Sequence, residues 1–369
     1  MQTVLSSSLA YSSSLPELAE RLRENFRVWR NRPYDYRARH FEHSPLFIII
    51  NNGASLITYL RINESRLLND VLDDEINLAL AHNGDISQPF MLVVLLDEGL
   101  TRLESHPELI PKIPEASLNQ VIPSGKHAGL SPLYCLTASF SGLRLLGRLG
   151  ELVSKITEAG LNYVIPYGEQ ADKSPLFWLT ATAEGQAILD KHPELIDKIT
   201  EAGLNQTIQS GENVGRSPLA WLTATAEGRV ILDKHPELID KITKKGLNQV
   251  IQSGEKAGYS PLAWLTGKPE GVSLLDKHPE LIDKITKKDL NQVIQRGEEA
   301  GYSPLFWLAA TAEGRAILDN HPGLIAKITK EGCNQIVTSG AYAGHSPLLW
   351  LTATAEGLSL LDKHPKLIA

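Results

Sequence analysis

Hydrophobic residues occur in short clusters that return at a constant interval along most of this chain. In the segment from Ser217 to Tyr259 the clusters are Leu219–Leu222, Ile231–Leu232, Leu238–Ile242 and Leu247–Ile251, separated by charged and polar residues. Adjacent apolar residues and apolar residues three or four positions apart are typical of short helices that bury one face. The pattern predicts three short helices, followed by a segment around Ile251 that is either a helical turn or extended.

Polar and special residues indicate where these helices begin and end. Ser217 is a good N-cap and Pro218 suits the first helical position. The second helix is expected to end near His235, because a residue before proline is disfavoured in the helical conformation. Pro236 then begins the third helix. Gly228 is interpreted as the break between the first two helices, and Gly246 as the stop after the third.

The same unit recurs with a constant step of 43 residues. The tripeptide Ser-Pro-Leu begins at Ser131, Ser174, Ser217, Ser260, Ser303 and Ser346, and weaker copies begin at Ser44 and Gln88. Periods of about 20–50 residues are typical of units that bury their apolar face only by stacking on neighbours. The sequence therefore predicts an all-α fold, an elongated helical solenoid, with about eight repeats over residues 44–369.

The two ends of the chain are predicted to differ from the repeats. Residues 1–43 are expected to form a capping half-repeat, in which Leu15–Leu22 resembles the third helix of a repeat. The last repeat stops within its third helix, which places Leu367 and Ile368 on an uncapped end. Two alternatives stay open: the chain is truncated there, or the end is covered by a partner, a second copy or a further domain.

The segment Gly215-Arg216-Ser217-Pro218-Leu219, with Gly228 and Gly246-Leu247-Asn248, resembles the ankyrin repeat. That family has a period of about 33 residues, whereas this unit has ten more, has Ala220 where the family has His, and adds a helix begun by Pro236. A HEAT- or armadillo-type solenoid is the competing fold. The near-identical repeats also resemble those of bacterial effector proteins. These resemblances imply a scaffold that binds proteins, usually without catalysis. Two free thiols and the absence of a secretory signal predict a cytoplasmic protein, with delivery into a host cell as an alternative.

Composition narrows the classes of partner. The net charge is −7, from 36 basic and 43 acidic residues without a long block of one sign, which disfavours nucleic acid as partner. The apolar runs are too short to span a membrane, and the N-terminus lacks the features of a secretory signal. Cys135 and Cys333 replace Trp or Leu of other repeats and are predicted to be buried thiols.

Two series of residues invite a chemical interpretation. Histidines recur at one repeat position, as in His192 and His235, but neighbouring helices are about 8–10 Å apart, too far for consecutive members to share one ion. They are predicted to lie at the corner between the second and third helices. Tryptophans such as Trp221 and Trp264 are predicted to form a core ladder. No cofactor is predicted, and the chain is not expected to be an enzyme.

An alternative places a small catalytic or metal site at the N-terminus or in a missing C-terminal domain. His40 and His43, with Asp35 nearby, form the only polar cluster that does not belong to the repeat. A role in sealing the N-terminal end is the competing interpretation.

Positions that vary between otherwise similar repeats are the best candidates for binding a protein partner. Two such positions precede the Ser-Pro-Leu tripeptide, and both are predicted to lie at loop tips between repeats. A third variable position on the first helix carries Ala220 and Ala263 in the middle of the array and large residues elsewhere, which predicts a shallow groove there. The predicted partner-binding residues are Lys173, Arg216, Tyr259, Tyr302, His345, Asn213, Lys256, Glu299 and Tyr342.

Overall fold

The computed structural model describes residues 14–33, 36–37, 40, 43–52, 54–81, 93–122, 128–295 and 299–367. Within these residues the chain is helical and contains no strand, which confirms the all-α class. The weak repeat copy at Gln88 lies outside the described residues, as does Asp35.

The chain divides into two compact units, Met1–Gly160 and Leu161–Ala369. The first unit opens with a helix of 16 residues, Leu15–Arg30, far longer than the third helix of a repeat that Leu15–Leu22 was expected to match. The other α-helices in the described part of this unit are Pro45–Asn52, Ala54–Asn63, Ser65–Ala81, Asp97–Ser105, Glu115–Asn119, Pro132–Thr137, Phe140–Arg148 and Gly150–Ser154, with a 3-10 helix at Pro107–Lys112. Helix Glu158–Asn162 follows at the boundary.

In the second unit four short helices, one more than predicted, recur in each repeat except the last, for which two α-helices are described. In the repeat that begins at Ser217 they are the opening helix Pro218–Ala224, the second helix Ala226–Lys234, the third helix Pro236–Asp240 and the fourth helix Lys244–Leu247. The corresponding helices of the other repeats are Pro175–Ala181, Ala183–Lys191, Glu194–Asp197 and Glu201–Asn205; Pro261–Thr266, Pro269–Lys277, Pro279–Lys284 and Lys287–Leu290; Pro304–Ala310, Ala312–Asn320, Pro322–Ile325 and Lys330–Asn334; and Pro347–Ala353 and Ala355–Lys363. Short 3-10 helices lie at Gly211–Asn213 and Pro365–Leu367.

Hydroxyl side chains fix where three of these four helices begin. Ser217 Oγ accepts a hydrogen bond of 3.1 Å from the Ala220 amide, Thr225 Oγ1 accepts one of 3.1 Å from Gly228, and Thr243 Oγ1 accepts one of 2.9 Å from Gly246. Each bond satisfies an amide that the first turn of a helix leaves unpaired. The third helix begins at Pro236, directly after His235, as predicted.

The two glycines have different roles from those predicted. Gly228 lies inside the second helix, where a Cβ atom would be 2.4 Å from the carbonyl oxygen of Leu222. Gly246 lies inside the fourth helix and does not end the third, and a Cβ there would be 1.8 Å from Oδ1 of Asn205 in the preceding repeat. Both positions carry glycine because another part of the chain approaches too closely for a side chain.

Asparagines link neighbouring repeats through the site that Gly246 leaves open. Asn205 Nδ2 donates to the carbonyl of Lys241, and Asn205 Oδ1 accepts from the amide of Thr243, at 2.8 Å and 3.0 Å. The same bonds join Asn162 to Lys198 and Thr200. Because these groups are partly buried, the bonds satisfy backbone atoms at the end of one helix and the start of the next.

Leucines and isoleucines fill the interior between helices. The opening helix of each repeat in the second unit packs on the opening helix of the next, and second helices pack on second helices in the same way. Leu219, Leu222, Leu232 and Leu238 are completely buried. Burying such a side chain contributes roughly 1.5–3 kcal/mol to folding, so this apolar ladder is the main stabilising term.

The last repeat differs from the prediction at its end. Leu367 is buried, although it was expected on an uncapped end, and Ile368 lies outside the described residues. The exposed apolar residues are instead Leu349 and Leu358, at 45% and 50% exposure, on the opening and second helices. Of the helices in the described parts of the chain, none has the length and apolar character needed to cross a bilayer.

Candidate functional site

The variable residues belong to a loop that two backbone hydrogen bonds close. Ile251 donates its amide to the carbonyl of Tyr259, and Gly258 donates to the carbonyl of Ile251, both at 2.8 Å. Tyr259 in turn donates to Lys256 at 3.1 Å, which makes residues 256–259 a tight turn. Gly258 has a φ of 95°, the left-handed conformation that favours glycine at the third position of such a turn. The segment around Ile251, which the sequence left undecided, forms no helical turn at Ile251.

This closed loop places the residue before each Ser-Pro-Leu tripeptide against the tryptophan of the same repeat. The Arg216 guanidinium carbon lies 4.9 Å from the centre of the Trp221 ring. Tyr259 stacks on Trp264 at 5.2 Å between ring centres, with an interplanar angle of 21°. The other pairs are Lys173 with Trp178 at 5.4 Å, Tyr302 with Trp307 at 4.7 Å and His345 with Trp350 at 5.7 Å. All five partners are cations or planar rings, the groups that an indole face attracts.

The first Ser-Pro-Leu repeat gives an internal test of this pairing. Cys135 stands where the other repeats have tryptophan, and Leu130 stands where they have the cation or ring. Both members of the pair are replaced together. The residue at the variable position therefore depends on the tryptophan: it is a cation or a planar ring in the repeats that have tryptophan, and neither in the repeat that has Cys135.

Burial separates the predicted partner-binding residues into two groups. Tyr259 and Tyr302 are only 8% and 2% exposed, so they are part of the core and do not protrude as loop tips. The Tyr302 hydroxyl also accepts a hydrogen bond of 3.3 Å from the Tyr342 amide in the next repeat. Lys256 is exposed, whereas Lys173, Arg216, His345, Asn213, Glu299 and Tyr342 are half-buried. The accessible part of the predicted surface therefore excludes Tyr259 and Tyr302.

A cavity of about 270 Å³ opens at the two small residues of the opening helices, where the sequence predicted a groove. Ala220 and Ala263 line it, and Trp221 and Trp264 contribute aromatic walls. In the repeats on either side, Phe177 and Phe306 occupy the equivalent positions and are 3% and 0% exposed. The cavity therefore occupies space that phenylalanine rings fill elsewhere in the array.

The polar lining of the cavity is mainly cationic. Arg216, Lys256 and Lys268 supply three positive charges, and Glu299 supplies one negative charge. Burial lowers the pKa of the Arg216 guanidinium, and the nearby charge of Glu255 only partly opposes this effect. Lys256 is directed over the Tyr259 ring at 5.5 Å.

His235, one of the recurring histidines, and the two cysteines lie where they serve the fold. His235 lies between the second and third helices, as predicted, and its Nδ1 is 2.9 Å from Glu237 Oε1. Cys333 is completely buried and Cys135 is partly buried, and burial raises their pKa values to about 11 and about 12. Thiols with such pKa values stay protonated at neutral pH and are poor nucleophiles.

Near the N-terminus the structure adds a residue that the sequence did not indicate. Glu75 is buried, and burial raises the pKa of its carboxyl to about 8; Ser44 and Arg37 lower it, and the neighbouring charge of Asp74 adds to the increase. Arg37 itself pairs with Asp74 at 2.8 Å. His40 and His43 have ring centres 6.1 Å apart. Within the described ranges, no three His, Cys, Asp or Glu side chains form a group that could hold a metal ion.

Sequence reasoning also missed two further sets of contacts, one between repeats and one within them. The asparagines recur at the constant step of 43, as Asn162, Asn205, Asn248 and Asn291, and that regularity was the available signal. Arg229 is 5% exposed on the second helix and donates to the carbonyl of Thr223 at 2.9 Å. Its equivalent in the preceding repeat is Gln186, which donates to Thr180 at 2.6 Å.

Comparison with known proteins gave no match to a family model, to a curated protein or to a solved structure.

Proposed function

We propose that this chain is a non-enzymatic protein-binding scaffold, a helical solenoid of ankyrin-like repeats of the kind found among bacterial effectors. The observation that carries the proposal is the cavity at Ala220 and Ala263. It is lined by tryptophan and arginine, which are enriched among the residues that dominate the energy of protein interfaces. The cavity also lies beside two variable loop residues, Arg216 and Lys256, which differ between repeats.

The contacts within the second unit support a scaffold of fixed geometry. Caps, asparagine bonds and buried leucines recur from repeat to repeat, so the loops are attached to helices that neighbouring repeats hold in place. Sites on such a framework lose little conformational entropy when a partner binds.

A pull-down from eukaryotic cell lysate tests the proposal. The bait is the full chain, compared with Ala263→Phe, which fills the cavity, and with Lys256→Ala, which removes an exposed side chain at its edge. Phe177 and Phe306 occupy the position equivalent to Ala263, so Ala263→Phe is expected to fold and to keep its melting temperature. Lys234→Ala, on the exposed surface of a second helix, is the matched control.

We expect a protein that wild type and Lys234→Ala retain and that Ala263→Phe loses. Equal capture by all four baits would place binding elsewhere on the chain. Absence of any specific capture in repeated experiments would contradict the protein-binding function.

Glu75 favours a second candidate function, a scaffold that carries a small catalytic or metal site at its N-terminus. A buried carboxyl whose pKa lies near neutrality is a common feature of acid–base sites. Metal analysis of the purified protein, compared with the His40→Ala/His43→Ala double variant, tests the metal form of this alternative. Stoichiometric metal that the double variant loses would support it, and equal content in both proteins would contradict it.

A further inference from the structure

We propose that the cavity lined by Trp221 and Trp264 receives an acidic side chain of the protein partner, with Arg216 as the residue that pairs with its carboxylate. The inference rests on the proposed protein-binding function and adds the chemistry of the partner at one defined site.

Arg216 has no hydrogen-bonded or ion-paired anion among the described residues, although the charge of Glu255 is close enough to act on it. Its guanidinium is half-buried against Trp221, and no ion pair or hydrogen bond joins its side chain to any other described side chain. Its Nε atom is buried and has no hydrogen-bond acceptor in the described part of the chain. Removing a guanidinium from water without such a partner costs free energy, which an incoming carboxylate recovers through charge-assisted hydrogen bonds.

The other residues of the same series differ from Arg216 in this respect. Lys173 donates to Gln170 Oε1 at 2.9 Å, and His345 Nδ1 is 3.1 Å from the carbonyl of Tyr342. Tyr259 and Tyr302 supply an aromatic ring in place of the cation and are buried. The cation without a hydrogen-bonded or ion-paired anion and the unfilled space at Ala220 and Ala263 therefore occur together, in one place in the described array.

The lining of the cavity favours a protein side chain as the occupant. Its volume is below the range of about 300–1,000 Å³ that is usual for pockets of drug-sized ligands, so it fits one side chain. The aromatic walls suit the methylene groups of a glutamate, and the three cations Arg216, Lys256 and Lys268 outnumber the one carboxylate of the lining, Glu299. The chain as a whole has a net charge of −7, which opposes binding of a polyanion such as nucleic acid.

Selection of random peptides displayed on phage, with the full chain as target, tests this inference. We expect the selected peptides to share one acidic residue at a fixed position. The best peptide and its Glu→Gln or Asp→Asn derivative are then synthesised with a fluorescent label. Their dissociation constants are measured with wild type, Arg216→Gln and the control Lys234→Gln.

We expect Arg216→Gln to weaken binding of the acidic peptide roughly tenfold or more, and of the neutral derivative less than about twofold. Lys234→Gln is expected to leave both constants unchanged. Labelling with 5-fluorotryptophan adds a second readout, because the fluorine signals of Trp221 and Trp264 should shift on binding while that of Trp29 should not.

The outcomes separate this inference from the function on which it rests. Selected peptides that bind tightly but have no common acidic residue, or that bind Arg216→Gln as well as wild type, would overturn the acidic-side-chain inference and leave protein binding intact. If no peptide is selected and no protein is captured from lysate, the proposed function fails and the inference fails with it.

Discussion

At Asn248 a contact that joins neighbouring repeats elsewhere is incomplete. Its Nδ2 group donates to the carbonyl of Lys284 at 3.0 Å, as in the other repeats, but its Oδ1 atom is buried and has no donor among the described residues. The next repeat carries Asp289 where the others have a glycine such as Gly246. The side chain of Asp289 contacts Thr286 instead. One substitution therefore explains the missing bond.

We expect Asp289→Gly to stabilise the protein. Restoring a donor to a buried acceptor gains about 1–3 kcal/mol, and glycine inside a helix costs about 0.5–1 kcal/mol, so the net gain should be about 1 kcal/mol. Urea denaturation followed by circular dichroism measures it. Asp289→Ala is the control, because it removes the carboxylate but keeps a Cβ atom where glycine is needed. An equal gain for alanine would show that the asparagine contact is not the cause.

Glu75 gives the stability of the protein a defined dependence on pH. Its carboxyl has a pKa of about 8 in the folded chain and the ordinary value of 4.5 when exposed. The folded state holds this proton where the unfolded state has released it, so the contribution of Glu75 to stability is greatest below the lower value and falls as pH rises toward about 8. Each unit of pKa difference corresponds to about 1.4 kcal/mol.

Glu75→Gln should therefore be more stable than wild type at alkaline pH, with an advantage that shrinks as pH falls toward the ordinary carboxyl pKa. Melting temperatures measured across this range test the prediction. Glu24→Gln, on an exposed helix surface, should follow wild type at every pH. A constant difference between Glu75→Gln and wild type would contradict a titrating buried carboxyl.

At the scale of elements, the loop before each Ser-Pro-Leu tripeptide contains a residue in the left-handed conformation. The space around that residue differs between repeats. Gly215 and Gly344 have the same φ of 86°, but a Cβ on Gly215 would lie 2.5 Å from the carbonyl oxygen of Val250 in the next repeat, whereas Gly344 has no atom within 4 Å. Asp172 occupies the equivalent position with a φ of 66°. Its carboxylate accepts a hydrogen bond of 2.9 Å from the Gln209 amide. A side chain is therefore tolerated at this left-handed position where, as at Asp172, it forms a hydrogen bond with the next repeat.

Gly344→Ala should cost about 1–2 kcal/mol, the cost of a left-handed conformation with a side chain. Gly215→Ala should cost clearly more, because the loop of the next repeat must also move. Chemical denaturation of the two variants gives the comparison. Similar losses for both would indicate that the approach of the two loops is not rigid.

Helix starts were readable from the sequence because they depend on neighbours in the chain. Ser217 and Pro218 fix the opening helix, and Pro236 fixes the third, through local backbone chemistry alone. The fourth helix was missed because Gly246 is a typical stop signal, and its true reason for being glycine is the approach of Asn205 from another repeat. A contact between two repeats, such as this one, cannot be read from the local sequence around one helix.

The candidate site was also predictable only in part. Small residues at Ala220 and Ala263 indicated the cavity, since the equivalent positions in other repeats carry larger side chains. The burial of Tyr259 and Tyr302 was not predictable from variability. It follows from the loop's backbone hydrogen bonds, which bring each residue back over the indole of its own opening helix.

At the scale of the molecule, the asparagine bonds offer a test of how stability is distributed. In a repeat array, stability is approximately a sum of terms within repeats and between adjacent repeats. We expect Asn205→Ala and Thr243→Ala, whose side chains bond directly at 3.1 Å, to show a coupling energy of about 1 kcal/mol.

Asn205→Ala and Thr329→Ala, which are not in adjacent repeats, should instead add within about 0.5 kcal/mol. Double-mutant cycles by urea denaturation measure both values. Strong coupling of the distant pair would mean that the second unit unfolds as one cooperative unit, and that its stability is not a sum of local terms.

The regular asparagine bonds also have a consequence for how such a chain changes over generations. Each junction places an asparagine against a lysine carbonyl and a threonine amide at constant offsets, as Asn205 does with Lys241 and Thr243. Recombination between two copies of the gene segment that deletes or adds 43 residues therefore recreates a junction with the same bonds. The junction at Asp289 is the exception, because within the described chain its partner Asn248 makes only the bond to the lysine carbonyl. The number of repeats can thus change in whole steps, while each variable loop is inherited together with the tryptophan that it covers.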